Sequence, residues 1–278
     1  RERVRTWLQE GGTFVEATST DAPASGSGIS ITGFEPGARS LASHPGSPRA
    51  VCRPPRGVRV SVHWPIIRRC LLQPRRIATV DDRGERKAAE ILVGALHVAE
   101  FLAAKCRTST VGVMLPTGAG TPMAALAGWM VGKTVVPLNY LLKPEELQYV
   151  IDDCGTDTVL TAGPMLDFMG FTPRVKQLVK MEELNFSGFP EPRWPARAEA
   201  DDLAILLYTS GTSGRPKGVM LTHGNLASNI RQIVAYAKFG PQDVMLGVLP
   251  QFHSFGLTAL TLLPLTQGIK AVYTARFV

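Results

Sequence analysis

The pattern of apolar and polar positions changes character at Ile77. From that point, short apolar runs typical of buried strands alternate with longer segments in which apolar residues recur at helical spacing. The predicted strands cover residues 111–115, 134–138, 157–161, 203–208, 218–221 and 244–249. The predicted helices cover residues 86–105, 121–132, 143–155, 223–238 and 257–265. Strands that alternate with helices in this way predict an α/β fold with a doubly wound parallel sheet.

Residues 1–76 lack a sustained helical or strand period and are rich in Arg, Pro, Gly and Ser. Such a stretch buries too little apolar surface to offset the entropy of the chain. We therefore interpret residues 1–76 as an irregular leader, either disordered or the remnant of a preceding domain, and residues 77–278 as the globular part. The alternative is that residues 1–76 form a basic arm that binds phosphate-bearing polymers or an anionic membrane surface. A signal peptide is disfavoured, because no uncharged apolar core follows the first basic residues.

Net charge and cysteine content narrow the class of protein. The formal charge of +7 resides in residues 1–76, which hold twelve arginines, no lysine and five acids, whereas residues 77–278 are neutral overall. The globular part therefore gives no electrostatic reason to bind nucleic acid, and a nucleic-acid-binding arm is the less favoured alternative. The four cysteines lie far apart with no CxxC pair, which disfavours a zinc site or disulfide framework and predicts a reducing, cytoplasmic location. Peripheral association with a membrane stays open.

Residues 111–132 carry no charge, so a membrane span of about 20 residues has to be considered. Five glycines and two prolines interrupt this segment, strand and helix patterns alternate within it, and Lys133 follows directly. A buried strand–helix–strand unit is the preferred interpretation, and we predict no membrane span.

The segment from Tyr208 to Leu226 is the strongest candidate for a functional site. It combines hydroxyl side chains with glycines, and it lies between an apolar run and a short β-branched one. Glycines allow successive backbone N–H groups to point into one concavity, hydroxyls add neutral donors, and a lysine adds positive charge, so this composition predicts a phosphate-binding loop. The predicted binding residues are Thr209, Ser210, Gly211, Thr212, Ser213, Gly214 and Lys217.

The spacing of this segment disfavours the P-loop of nucleoside triphosphatases, which requires G-x-x-x-x-G-K-[ST] between a strand and a helix. Gly218 stands where the Mg²⁺-binding hydroxyl should be, and the run that follows is strand-like. The string YTSGTSGRPKGV, followed by THGN, instead resembles the signature phosphate loop of the adenylate-forming (AMP-binding) superfamily. That superfamily includes acyl-CoA synthetases, luciferases and the adenylation domains of peptide synthetases.

A second motif lies at Val244 to Thr258, where a strand-like run leads into an aromatic–histidine pair. Its LP-x-FH-x-x-G pattern is similar to the next signature of the same superfamily. The resemblance covers roughly residues 77–278 and implies the N-terminal part of the adenylate-forming large domain, with its doubly wound subdomains. The substrate-pocket candidates that it implies are Phe252, His253 and Gly256. The catalytic candidates are Lys217 and His253.

The resemblance also implies two half-reactions. A carboxylate oxygen attacks the α-phosphorus of ATP and releases pyrophosphate, and the thiol of coenzyme A or of an acyl carrier protein then displaces AMP. ATP and Mg²⁺ are the implied cofactors, and a small-molecule carboxylic acid is the implied substrate. Amino-acid-activating relatives place an aspartate directly after the phenylalanine of the second motif, but here His253 occupies that position and no acid lies between Pro250 and Thr261. We therefore predict an uncharged acyl chain, that is, a fatty acid.

Three elements of the family's catalytic machinery do not occur before Val278. They are a Y-G-x-T-E segment whose acid helps bind Mg²⁺, an aspartate that holds the ribose hydroxyls, and a lysine from a small C-terminal domain. We therefore expect a fragment whose metal-binding acid lies beyond Val278, and we expect this chain alone to be inactive. A non-catalytic nucleotide- or acyl-binding remnant is the alternative.

Two further histidines have no assigned function. His97 is isolated on the first predicted helix, where a core or surface position is preferred to a ligand role. His223 directly precedes the helix after the phosphate loop, and the sequence fits a helix-entry role as well as a contact with nucleotide or substrate.

Overall fold

The computed structural model describes residues 60–209 and 215–274, and two β-sheets organise this part of the chain. The first sheet consists of β3 (Thr110–Val113), β4 (Thr134–Pro137), β5 (Thr158–Thr161), β6 (Gln177–Lys180), β7 (Leu203–Thr209) and β8 (Lys217–Thr222). The spatial order is β6–β5–β3–β4–β7–β8, and every neighbouring pair is parallel except β7 and β8. The predicted parallel α/β sheet is confirmed.

The second sheet joins the two ends of the described chain. It consists of β1 (Ile77–Asp81), β2 (Gly84–Lys87), β9 (Val244–Gly247) and β10 (Lys270–Tyr273), in the order β2–β1–β10–β9. Strand β10 pairs in parallel with both β1 and β9, whereas β2 folds back antiparallel on β1. The sequence analysis missed β1, β2 and β10, because runs of four or five residues show too little period and β2 is an exposed polar segment.

Helices connect the strands of both sheets. They are α1 (His63–Leu72), α2 (Ala88–Lys105), α3 (Gly120–Met130), α4 (Pro144–Asp153), α5 (Gly163–Met169) and α6 (His223–Ala237). Residues 254–267 form one helical run made of α7 (Ser254–Leu257), a π turn (Thr258–Leu262) and α8 (Leu263–Gln267). Pro264 cannot donate a backbone hydrogen bond, and the change from π to α geometry occurs next to it.

Local signals explain where helix α4 begins and ends. Pro144 occupies its first turn, where a missing N–H costs nothing, and the Glu146 carboxylate accepts a hydrogen bond from the Lys143 N–H at 3.3 Å. Gly155 has φ +61°, a left-handed conformation that glycine adopts without steric cost. The predicted stop at this glycine is confirmed.

Helix α1 corrects the expectation that no regular element precedes Ile77. His63, Ile66, Ile67 and Cys70 are all buried, and their spacing is that of one helix face. Arginines and prolines around this short apolar face hid its period in the sequence. Residues 1–59 lie outside the described residues, so the division at residue 77 stays a prediction.

Nine of the eleven residues of helix α3 are buried, which explains the uncharged segment 111–132. The Trp129 indole N–H donates to the Ala204 carbonyl at 2.8 Å, so the one polar group of this large side chain has a partner. Gly128 allows the helix to approach the sheet, since a Cβ there would lie 2.9 Å from a methyl of Val135. The segment is the predicted strand–helix–strand unit, and no helix in the described residues is long and apolar enough to cross a membrane.

A pair of buried histidines joins helix α1 to helix α6. His223 Nδ1 accepts a hydrogen bond from the Val62 N–H at 3.2 Å, and its ring stands edge-on to the His63 ring at 5.7 Å. Burial, and after it the neighbouring His63, lower the pKa of His223 to about 4, and Asp202 opposes them. Burial also lowers the pKa of His63, whose Nε2 lies 3.1 Å from the Ala196 carbonyl. These contacts favour the helix-entry role of His223.

This pair predicts an acid-sensitive fold. The folded state holds His223 neutral, so its contribution is complete above pH about 6.5 and is lost as the pH falls toward 4. We expect the free energy of unfolding to drop by about 3 kcal/mol over this window, since the pKa falls from 6.5 to about 4 and one pKa unit corresponds to about 1.4 kcal/mol. Urea denaturation at several pH values measures it. The loss of stability with falling pH should be smaller in His223→Gln than in the unmodified chain, and it should be unchanged in His253→Gln, an exposed control. An equal loss in His223→Gln and in the unmodified chain would contradict the assignment of this effect to His223.

Candidate active site

The phosphate-loop segment joins strand β7 to strand β8. Thr209 is the last residue of β7, Lys217 is the first of β8, and the two are direct partners in the antiparallel ladder. Direct partners point to the same face of a sheet, and both side chains are exposed. The Thr209 hydroxyl and the Lys217 ammonium group therefore lie side by side at the base of the loop. The other predicted donors lie outside the described residues, and their roles stay predictions: Ser210, Gly211, Thr212, Ser213 and Gly214.

Both sides of this loop are anchored to helix α4. The Tyr208 hydroxyl donates a 2.5 Å hydrogen bond to the Asp153 carboxylate, and the Arg215 guanidinium lies 5.6 Å from the centre of the Tyr149 ring. Burial and then the hydrogen bond to Asp153 raise the pKa of Tyr208 above its usual range. These contacts could not be inferred from the sequence, because they depend on how α4 packs beside β7.

The Tyr208–Asp153 hydrogen bond should contribute measurably to stability. We expect Tyr208→Phe to lower the free energy of unfolding by about 1 kcal/mol, since a hydrogen bond to a charged group contributes about 1.5–3 kcal/mol and this one is partly exposed. Tyr236→Phe, on the exposed face of α6, is the matched control. Equal effects of the two substitutions in chemical denaturation would contradict a structural role for this contact.

The second motif presents its three candidate residues differently. Phe252 is buried, and its ring meets the Tyr140 ring edge-on with centroids 4.7 Å apart. His253 is exposed. Gly256 is buried where the chain folds back, and a Cβ there would lie only 2.1 Å from the Pro250 carbonyl oxygen, so glycine is required. The substrate roles of all three residues stay predictions.

Gln251 is a buried polar residue that the sequence analysis did not single out. Its Oε1 accepts a hydrogen bond from the Gly118 N–H at 2.9 Å, and its Nε2 donates to the Thr261 hydroxyl at 3.0 Å. The Thr261 hydroxyl in turn donates to the Gly256 carbonyl at 2.9 Å. Gln251 therefore ties the second motif to the loop that follows β3.

Removing this amide should destabilise the fold. We expect Gln251→Met to cost about 2 kcal/mol, because the buried Gly118 N–H and the Thr261 hydroxyl would both lose a partner. Gln232→Met, at an exposed position of α6, should change stability by less than about 0.5 kcal/mol. Thermal and urea unfolding of both variants measure the difference, and a Gln251→Met protein as stable as the control would show that the contacts are weak.

The two signature segments meet at one edge of the first sheet. The phosphate loop follows β7, Tyr140 follows β4, and Gly118 follows β3, and these strands are parallel. The carboxyl ends of parallel strands lie at the same edge, which is where ligands bind in open α/β sheets. The contacts of Phe252 with Tyr140 and of Gln251 with Gly118 bring the second motif to this edge.

Within residues 60–209 and 215–274, no group of three His, Cys, Asp or Glu side chains could hold a metal ion. Cys70, Cys106 and Cys154 are free and buried. Burial raises the pKa of the Cys70 and Cys154 thiols to about 11, so neither is poised to act as a thiolate nucleophile.

Comparison with known proteins establishes the family. The family model for the AMP-binding enzymes matches residues 67–278, and the chain belongs to this family. Human mitochondrial malonate–CoA ligase ACSF3 is 29% identical over 233 residues, which cover 77% of this chain and 39% of the relative. A long-chain-fatty-acid–CoA ligase of Bacillus subtilis is 28% identical over 234 residues, 68% of this chain and 41% of the relative.

A solved structure shows the same architecture. The o-succinylbenzoate coenzyme A synthetase of Bacillus subtilis, in complex with ATP and magnesium ion, matches with a TM-score of 0.68 at 28% identity, over 77% of this chain and 57% of that one. The expected membership of the adenylate-forming superfamily is confirmed. The chain spans about two fifths of the length of the curated relatives named above.

Proposed function

We propose that this chain is the ATP-binding part of an ATP-dependent acid–thiol ligase. In the first half-reaction a carboxylate oxygen bonds to the α-phosphorus of ATP, and pyrophosphate leaves. In the second, the sulfur of coenzyme A or of an acyl carrier protein bonds to the acyl carbon, and AMP leaves. The observation that carries this proposal is the pairing of Thr209 with Lys217 at the base of the signature loop, at the sheet edge to which the second signature is also tied.

The residues of the hairpin have distinct roles in this proposal. The first half-reaction places negative charge on phosphoryl oxygens, so positioned donors are its main catalytic requirement. The Thr209 hydroxyl and the loop donors Ser210, Thr212 and Ser213 bind the β- and γ-phosphates. Lys217 supplies a flexible positive charge that follows a phosphoryl oxygen as charge develops.

Mg²⁺ bound together with the nucleotide would supply positive charge that offsets part of the phosphate charge. This ion usually takes one or two protein carboxylates and fills its other positions with phosphates and water. Thr209 and Lys217 would hold these phosphates from the protein.

A fatty acid is the substrate class that we propose. No acidic residue lies between Pro250 and Thr261 that could hold the ammonium group of an amino acid. The helical run that follows is apolar, with Leu257, Leu260 and Leu262 buried. The relatives named above act on malonate, o-succinylbenzoate and long-chain fatty acids, so the acid itself varies within the family.

The charge of Lys217 provides the test. We expect Lys217→Ala to weaken ATP binding by about tenfold, which corresponds to about 1.4 kcal/mol, because one ion contact with a phosphate is lost. Lys176→Ala is the matched control, since this exposed lysine lies beside β6, at the opposite end of the sheet from β8. Isothermal titration calorimetry with ATP measures both affinities. Equal affinity of the two variants would overturn the assignment of the loop.

Pyrophosphate release tests the candidate substrate class. Release that depends on a fatty acid, and not on malonate or an amino acid, would support the proposed substrate class and would contradict the expectation that this chain alone is inactive. ATP binding that Lys217→Ala weakens, without pyrophosphate release from any acid, is the result expected both of an inactive part of a ligase and of a non-catalytic nucleotide-binding remnant. Release that depends on an amino acid would refute the fatty-acid assignment.

A further inference from the structure

A cavity lies at the same sheet edge, beside the loops that follow β3 and β5. Its volume is about 620 Å³, which is within the range of small-molecule sites. Residues 115–120 after β3, Ala162 after β5 and Met181 after β6 form one side, and helix α2 forms the other. Strand β4 separates β3 from β7, the strand that leads to the phosphate loop.

The strand order gives a topological reason for this cavity. From β3 the chain crosses through α3 to β4 on one side, and from β4 it crosses back through α4 to β5 on the other side of β3. Right-handed crossovers in opposite directions place α3 and α4 on opposite faces of the sheet. The loops after β3 and β5 therefore diverge, and such a switch point is where open α/β sheets bind ligands. The cavity lies between these two loops.

The walls of the cavity are apolar and contain an aromatic pair. Val93, Met123 and Met181 contribute apolar surface, and methionine sulfur makes favourable contacts with aromatic rings. The ring of His97 meets the ring of Phe186 edge-on, with centroids 5.7 Å apart and planes at 72°. These side chains suit a flat aromatic ligand.

His97 is the buried polar group of this wall. Its side chain is only 7% exposed, and its Nε2 has no hydrogen-bond partner within the described part of the chain. Buried ring nitrogens are normally paired, so an unpaired one beside a cavity indicates a missing partner. Phe186, which covers His97, is 41% exposed and can be displaced without disturbing the core. A ligand hydroxyl that takes its place reaches the ring nitrogen.

The charges around the cavity select against anions. The lining carries four carboxylates and two guanidinium groups, an excess of two acids: Asp81, Asp82, Glu90 and Glu182 against Arg83 and Arg86. No carboxylate among the described residues lies within ion-pair distance of either guanidinium. This balance contrasts with the phosphate loop, where Lys217 attracts anions. A nucleotide or a free carboxylate is therefore disfavoured here.

We propose that this cavity, between the loops after β3 and β5, binds a small neutral aromatic molecule that carries a hydroxyl group. The ring lies against Met123 and Met181 once Phe186 has moved aside, and the hydroxyl pairs with His97. The site is independent of the phosphate loop and of the acid that is activated there.

Binding of 2-naphthol, which is neutral at pH 7, tests the proposal by isothermal titration calorimetry. Val93→Trp fills the cavity and should weaken binding by about tenfold or more. Glu100→Trp, two turns further along α2 at an exposed position outside the cavity, should bind like the unmodified chain. His97→Leu should also weaken 2-naphthol binding, because the ring nitrogen is lost. Circular dichroism checks that each variant folds. If Val93→Trp does not fold, Ala89→Phe is the second variant that fills the same cavity.

Three outcomes would overturn the proposal. One is the absence of 2-naphthol binding. Another is binding by 2-naphthoate as tight as that of 2-naphthol, which would contradict the charge argument. The third is competition between 2-naphthol and ATP, which would place the aromatic ring in the nucleotide site. Binding of 2-naphthol that persists in Lys217→Ala would show that this site stands apart from the proposed function.

Discussion

The pairing of β7 with β8 is the constraint on which the candidate site depends. Strand β7 joins the parallel sheet through β4, and β8 then turns back along β7, so the phosphate loop is held at the sheet edge from both sides. A strand–loop–helix arrangement would direct a helix N-terminus at the phosphate. Here the segment joins the two strands of a hairpin instead, and the donors that we propose are hydroxyls, loop amides and Lys217.

Side-chain contacts from other elements hold this edge in place. Tyr208 and Arg215 anchor the two sides of the loop to helix α4, and Gln251 ties the second signature to the loop after β3. Each contact joins segments far apart in sequence, so the site forms only when the whole sheet has assembled. The same assembly produces the cavity beside His97, because the loops after β3 and β5 leave the sheet in opposite directions.

Part of this organisation could be predicted from the sequence, and the rest could not. The strands and helices with long or strongly apolar patterns were predicted, and so was the helix stop at Gly155. Helix α1 was missed because its buried face has only four residues within a basic stretch. Strand β2 was missed because its exposed residues show no alternation. The partners of Gln251 and His223 could not be inferred, since they lie 133 and 161 residues away.

The sequence by itself determined the family, the class of sheet and the position of the phosphate loop. Those properties depend on local composition and on the residue types that phosphate chemistry requires. Only the tertiary structure decided that Phe252 packs into an aromatic cluster while His253 faces solvent, that His223 joins two helices, and that His97 borders a cavity. The reason is physical: a side chain's environment is set by whichever segments pack against it, and periodicity identifies a buried face but not its partner.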